Sequence, residues 1–558
     1  MRTPHVELFR PLLTAVAAAV VLSACGGGDS VSVSDMTPSV ATASLSGRFA
    51  QGVEEGVSEI IAYHKPSASV FITVDTANQP SSFKRVSLRS MDSVALADPL
   101  ADTNLEGGLT TDVAADVNDA NFTAGGVQSL AVTDTLLAIA VKAATKTDNG
   151  VIAFYALDAL GNAAYQKKVT VGSLPDGVAF SPDGQHLVVA NEAELSDNYG
   201  TDGIDPLGSI SVIAVNNGVA ADTATTLDFT AFDDGGSRAG ERPEGVRIGV
   251  KDNAFSKDAE PEYVTISADS STAMVSLQEN NAIAVVDLSG ATPRISKLMA
   301  LGSKDHSLAT NALAASDRAD EPFVLKTHAN LYGLYLPDGI ANYTVNGVTY
   351  VLTANEGDDR DDFLADGETA RVKDLTLDPT AFPNASDLQA DGVLGRLTVF
   401  TNMGDTDGDG DFDQLYALGG RSFSIYNTAT GEQVYDSASV LETEVYGSYS
   451  ETMLAASQVT GRLDNKGPEP EGVVVGQVGD QTYAFVGMER ASAIAMFNIT
   501  DPNPVSFVRL LNNTTDLDDG DISPEGMQFV PASDSHTGKA LLLVGHEVSG
   551  SLAVYTIE

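Results

Sequence analysis

The chain has 558 residues, with 77 Asp and Glu against 31 Lys and Arg and a formal net charge of −46. A surface of that sign repels nucleic acid and anionic lipid and attracts cations. One cysteine, no Trp and 6% aromatic residues exclude a disulfide framework and argue against a carbohydrate-stacking surface.

Arg2, His5 and Arg10 form a short basic start, followed by an apolar run from Leu12 to Val21. At about 10 to 13 residues that run is too short to span a bilayer and has the shape of a signal peptide. It ends Leu22-Ser23-Ala24-Cys25, the lipobox pattern of bacterial lipoproteins, with small residues for the peptidase and a thiol for the diacylglyceryl group. Residues 1–24 are therefore predicted to be a lipoprotein signal peptide, with Cys25 as the lipidation site. Gly26 follows the cysteine where an Asp would argue for inner-membrane retention, so an exported protein at the outer membrane or cell surface is expected. Residues 25–46, rich in Gly, Ser, Thr and Val, read as a flexible tether.

From residue 47 to 558 the chain consists of short β-branched and aromatic runs broken by Gly, Asn, Asp and Pro, with no convincing helical periodicity. That is an all-β pattern. The clearest unit runs from Glu471 to Leu511. It reads as strands at 471–478, 482–487, 493–499 and 505–510, four in about 40 residues, the size of a propeller blade. Each repeat opens on an acidic residue, usually within Pro-Asp-Gly or Pro-Glu-Gly. The openers are Glu59, Asp176, Glu262, Asp338, Glu471 and Glu525, with a weaker copy near Gln128. Second strands end at Glu192, Glu279, Glu356, Glu489 and Glu547, 16 to 22 residues after their openers. The prediction is a single seven-bladed β-propeller.

In a propeller the innermost strand of every blade lines the central channel, so a repeated acidic opener predicts a ring of carboxylates at one mouth. Pro-Asp-Gly is also good turn chemistry by itself. Glu is a poor turn residue, and the mouth reading is stronger where Glu stands in that place.

Asp405-Thr-Asp407-Gly-Asp409-Gly-Asp411-Phe-Asp413 follows the opening of a calcium loop, with carboxylates at alternate positions and Gly at the sixth for the turn. Asp405, Asp407, Asp409, Asp411 and Asp413 are the expected calcium ligands. Position twelve is Tyr416 and not Glu, so the loop is shorter than an EF-hand. A second cluster, Glu356, Asp358, Asp359, Arg360, Asp361 and Asp362, follows the strand 349–354 and could hold a metal or, through Arg360, an anion. It opens an acidic insertion at about 357–413, whose stretch from Phe363 to Gly395 is long for a propeller loop and is expected to cover the mouth. No Gly-x-Ser-x-Gly, His-Glu-x-x-His or Walker loop is present. His546 and the arginines 242, 247, 360, 421 and 490 remain as candidates near the mouth, the arginines as anion ligands.

The string Leu336-Pro-Asp-Gly-Ile340, Thr353-Ala-Asn-Glu-Gly-Asp358, Asp407 to Asp411, Gly419-Gly-Arg-Ser-Phe-Ser-Ile425 and Gly467-Pro-Glu-Pro-Glu-Gly472 resembles the choice-of-anchor I domain family. Ser523-Pro-Glu-Gly526 and Glu547-Val-Ser-Gly550 fit it too, whereas Pro206-Leu207-Gly208 stands where Pro-Glu-Gly is usual. The resemblance implies a secreted or surface-attached propeller whose anchor varies among members, some of them labelled alkaline phosphatase. Two functions are expected from these observations. One is a calcium-binding, lipid-anchored surface propeller with a binding or structural role. The other is a metal-dependent phosphoesterase at the mouth, with Glu356, Asp358, Asp359 and Arg360 as its first residues and Glu262 and Glu471 opposite. A lactonase-like hydrolase is a weaker third. The partners expected are the membrane through the anchor, cations, and a phosphorylated small molecule or a surface protein.

Overall fold

The computed structural model describes residues 41–50, 56–76, 81–318, 323–365, 367–452, 461–516 and 519–558. The leader and Cys25 lie outside the described residues. Residues 41–558 form one compact unit.

The middle strands carry apolar side chains on both faces. In His186–Asn191, Leu187 and Val189 pack toward one neighbouring sheet, Val188 and Ala190 toward the other. Leu541 and Leu543 part from Leu542 and Val544 in the same way. A strand covered on both sides reads as a continuous apolar run, not an alternating one.

Among the described residues, seven antiparallel sheets run outward from an inner strand, six with four strands and one with five. The inner strands are Val57–His64, Ala124–Val132, Pro175–Phe180, Pro261–Ile266, Ile340–Val345, Pro470–Val478 and Pro524–Val530. Each packs against the next, and the last returns to the first. Together they line a central channel of about 400 Å³. The protein is thus an all-β, propeller-like ring, held by apolar cores between neighbouring sheets, such as Phe71 and Phe83 against Leu137 and Ile139.

Three expectations need correction. The expected tether ended at residue 46, but Ala43–Ala50 is a strand, paired antiparallel with Ser551–Ile557. It completes the last sheet with the first residues of the body, and Leu45 joins a core that includes Leu542 and Tyr555. The open edge of that sheet is what recruits it. Arg48 of this strand is buried, donating from Nε to Asp521 Oδ1 at 2.8 Å and from Nη1 to the Leu100 carbonyl at 3.0 Å.

The insertion is also larger than 357–413, and it is built from two separate stretches. Ser303–Asp305 and Leu331–Leu334 precede the fifth inner strand. Thr369–Arg371, Thr398–Phe400 and Leu415–Ala417 follow Glu356. They form one five-stranded sheet in which Leu331–Leu334 and Leu415–Ala417 run parallel. Its own core includes Leu331, Val372, Phe382, Leu397 and Val399. Local composition could not reveal a pairing between strands about eighty residues apart. Last, Val440–Thr452 is a helix where none was expected, tied to the body by Glu442, which accepts from Arg421 Nη1 at 3.0 Å.

Candidate functional site

The acids of the repeat gather at one end of the channel, where six of the seven inner strands bend; the exception is Ile340–Val345, which pairs in even register and has its opener Asp338 two places before it. The register with the second strand shifts between Pro175 and Val178, Pro261 and Val264, Pro470 and Val473, and Pro524 and Met527. Shifts also lie between Val57 and Ile61 and, around Gln128, between Val127 and Ser129. A bulge leaves residues unpaired and re-aims a side chain. Residues with positive φ help to set it up: Ser58, Leu174, Leu336, Glu469 and Ser523, each one or two places before an opener. The second-strand ends are held alongside. The backbone N–H of Glu192, Glu489 and Glu547 donates to the carbonyl of Leu174, Glu469 and Ser523 at 2.9, 2.9 and 3.0 Å. The structure therefore brings together Glu59, Asp176, Glu262, Asp338, Glu471 and Glu525 with Glu192, Glu279, Glu356, Glu489 and Glu547.

Burial dominates their electrostatics, and crowding by like charge adds to it. Desolvation first, and neighbouring carboxylates second, push Glu192, Glu262, Glu279, Asp338, Glu471 and Glu525 well above the usual carboxylate range. For the same leading reason Glu59 rises to about 8 and Asp176 to about 7. Glu489 rises to about 7, with Arg490 opposing the effect of burial. One carboxylate oxygen each from Asp338, Glu356 and Glu471 lies within 4.8 Å of the others. Glu356 accepts from Lys466 Nζ at 2.8 Å and from Gln278 Nε2 at 2.9 Å, and Lys466 also reaches Asp358 at 2.8 Å. Burial raises Glu356 against the pull of Lys466.

The described residues between Glu356 and Glu368 form a strap that leaves the fifth sheet and reaches loops of the second, third and fourth. Arg360 is buried, and its guanidinium donates to Glu260 at 3.1 Å and to the Asp258 carbonyl at 2.9 Å. Glu368 accepts from the Arg360 backbone at 2.9 Å and pairs with Arg247, which stacks on Phe400 at 4.0 Å. Phe363 sits under the Lys146 ammonium at 3.9 Å, and Lys146 in turn pairs with Glu194 at 3.0 Å. The strap, and not the stretch Phe363 to Gly395 as a whole, reaches over the mouth. The residues beyond it belong to the insertion's own sheet.

The expected anion-binding arginines are nearly all consumed by the protein itself. Arg360 and Arg247 hold the strap. Arg421 is buried against Glu442 and the carbonyls of Ala314, Leu463 and Asn465. Arg242 pairs with Asp234 at 2.8 Å. Arg490 alone of the five is half-exposed at the mouth, beside Glu489 at 3.0 Å and Glu469 at 3.4 Å. His546 is buried in the last sheet opposite Pro524, and burial lowers its pKa. Asp359 is half-buried and raised to about 6 by that burial.

The loop at 405–413 divides its five acids. Asp405, Asp407 and Asp413 offer oxygens within 4.8 Å of one another, while Asp411 groups with Asp413 and with Asp378. Asp409 accepts from the Asp411 backbone at 3.2 Å. Asp405 accepts from the backbone of Gly408 and Gly410 at 2.7 and 3.1 Å. Asp378 was missed, as were Lys466, Gln278, Asp258, Glu260 and Glu368 at the mouth. No local spacing marks them, since Lys466 and its partners are 110 and 108 residues apart. The pair Glu260-Pro261 directly before an opener was the one legible hint.

Among curated proteins the chain is 30% identical to Gigasin-3a of Magallana gigas over 190 residues, 30% of this chain and 66% of that protein. It is 26% identical to the mesenchyme-specific cell surface glycoprotein of Strongylocentrotus purpuratus over 220 residues, 33% of this chain and 28% of that protein. The chain thus spans less than two thirds of the length of either relative. Among solved structures, hydrazine synthase of Kuenenia stuttgartiensis aligns over 90% of this chain and 96% of its own, at 12% identity and a TM-score of 0.44. The WD40 domain of Toxoplasma gondii coronin aligns over 92% and 87%, at 8% identity and a TM-score of 0.41. At these scores the likenesses carry no argument about this chain. The family model described as the choice-of-anchor I domain matches residues 59–502, from the first acidic opener to the sixth sheet, and the chain belongs to that family.

Proposed function

We propose that this protein is a calcium-binding, lipid-anchored surface β-propeller of seven blades that uses its acidic mouth to bind a ligand. Family membership points to a surface or secreted protein, and among the described residues no helix is long and apolar enough to cross a membrane. Anchoring at Cys25 of the outer membrane or cell surface follows from the lipobox. The convergence of Asp405, Asp407 and Asp413 supports calcium in this loop. The observation that carries the binding role is the mouth itself. Its carboxylates are crowded and desolvated, and of the candidate arginines Arg247 and Arg360 are spent on holding the strap and Arg490 pairs with Glu469 and Glu489. A surface protein or small molecule presenting a cation, or bridged by one, suits that mouth. Nucleic acid does not.

A phosphoesterase is the second reading, favoured by the convergence of Asp338, Glu356 and Glu471 beside Lys466, a place where a bound cation and an ammonium could face a phosphate. The test is hydrolysis of a generic phosphomonoester and phosphodiester with calcium and after chelation. The expected result is no turnover, with calcium raising the melting temperature. Calcium-dependent turnover that disappears in Glu356→Gln and Asp358→Asn would overturn the binding role in favour of the enzyme.

A further inference from the structure

We infer that the mouth holds one hard divalent cation between the fifth and sixth sheets, ligated by Asp338, Glu356 and Glu471, with Lys466 as the internal charge that competes with it. This rests on reading the mouth as the ligand site and is separate from calcium in the 405–413 loop. Three rigid positions supply the ligands. Asp338 stands at the opening of one inner strand, Glu356 at the end of the strand beside it, and Glu471 at the opening of the next. Oxygens bound to a calcium ion at about 2.3–2.6 Å stand up to about 5 Å apart, and the three here lie within 4.8 Å of one another.

The second observation is independent of that spacing. Glu471 Oε2 is buried with no hydrogen-bond partner. So is Oε2 of Glu262, the neighbouring opener beside Asp338, a residue only 7% exposed. Buried carboxylates without donors are costly unless a charge meets them. Lys466 neutralises Glu356 and Asp358, and Arg490 meets Glu469 and Glu489. Among the described residues no salt bridge reaches Asp338, Glu471 or Glu262, so this arc has a deficit of positive charge that its own side chains leave open. The donor set is all oxygen. That selects calcium, magnesium or manganese over the softer metals that prefer nitrogen and sulfur.

The test is calorimetric titration of the exported chain with calcium alone, after removal of metal by chelator. Glu471→Gln with Asp338→Asn should remove one site, while Asp405→Asn with Asp407→Asn removes a different one. Lys466→Met should keep the mouth site and bind calcium about tenfold more tightly, because the competing ammonium is gone. Unchanged stoichiometry in a folded Glu471→Gln, Asp338→Asn variant would overturn the inference. So would unchanged or weaker calcium binding in Lys466→Met, which also decides the matter if the double variant fails to fold. Loss of no site in the loop variant would count against loop calcium and leave the mouth inference standing. Phosphoester turnover would end the binding-only role and leave it standing too.

Discussion

The channel mouth and the 405–413 loop use the same side chains in opposite surroundings. In the loop the carboxylates are exposed or partly exposed, and Asp407 and Asp413 answer chiefly to immediate neighbours. Asp407 is raised chiefly by Asp409, and Asp413 is lowered by the hydroxyl and backbone of Thr406. At the mouth, desolvation leads, and the neighbours that matter come both from the adjoining strand of the same sheet and from other sheets. Glu525 is pressed by Glu59 and Glu547, and Glu262 by Glu279 and Asp338. Solvent and salt screen the loop, whereas the mouth is shielded from both. An acidic motif can therefore be folded at little cost when it stays on the surface, but a converging ring needs charge compensation built into the fold.

The hardest way to break that contrast is to remove the compensation. Arg360→Met leaves Asp258 and Glu260 buried without their cation, and loss of one partner of a buried pair costs roughly 3–5 kcal/mol. Urea unfolding should show that loss, and the strap should become accessible to protease. A change of pH comes next. Glu59 and Asp176 stand at about 8 and about 7 in the folded protein, against ordinary values of 4.5 and 3.8. Between those limits the folded state binds more protons than the unfolded one, so stability falls as pH rises. In chelator the melting temperature should be highest near pH 5 and should decline through pH 7 to 8, with calcium flattening the decline. A melting temperature that instead rises from pH 5 to pH 9 in chelator would contradict burial at the mouth. The smallest effect separates the two regions directly. Glu262→Gln in chelator should stabilise by about 1–2 kcal/mol, since the amide spares the folded protein a buried carboxyl that must either take up a proton or stay charged without a partner. Asp405→Asn should leave the chelated melting temperature where it was and abolish only part of the rise that calcium gives.

Much of the mouth was legible because its geometry is repeated. Every opener but Asp338 meets a bulge, so a local motif occurring six times with one neutral Gln128 predicts a ring once the inner strands are known to share a channel. What could not be read was the compensation. Arg360 looked like a ligand for an anion, yet its partners Asp258 and Glu260 lie about a hundred residues earlier. Lys466 stands in an unremarkable run before Pro-Glu-Pro-Glu, and only the fold sets it against Glu356 and Asp358. The insertion was recognised from its length and acidity, but not its sheet, because the strands at 331–334 and 415–417 come from separate excursions of the chain.

Alternating and continuous apolar runs, turn chemistry and the acidic repeat were enough to determine an all-β chain of repeated sheets, a place for the carboxylates and a surface-exposed acidic loop. Those are consequences of local backbone preference and of the period with which side chains alternate, and both are written in neighbouring residues. Tertiary structure decided which acids meet, which cations neutralise them and that Ala43–Ala50 closes the ring. Coulombic and hydrogen-bonded partners depend on distance in space, and in this protein that distance is set by strands that lie from about twenty to five hundred residues apart along the chain.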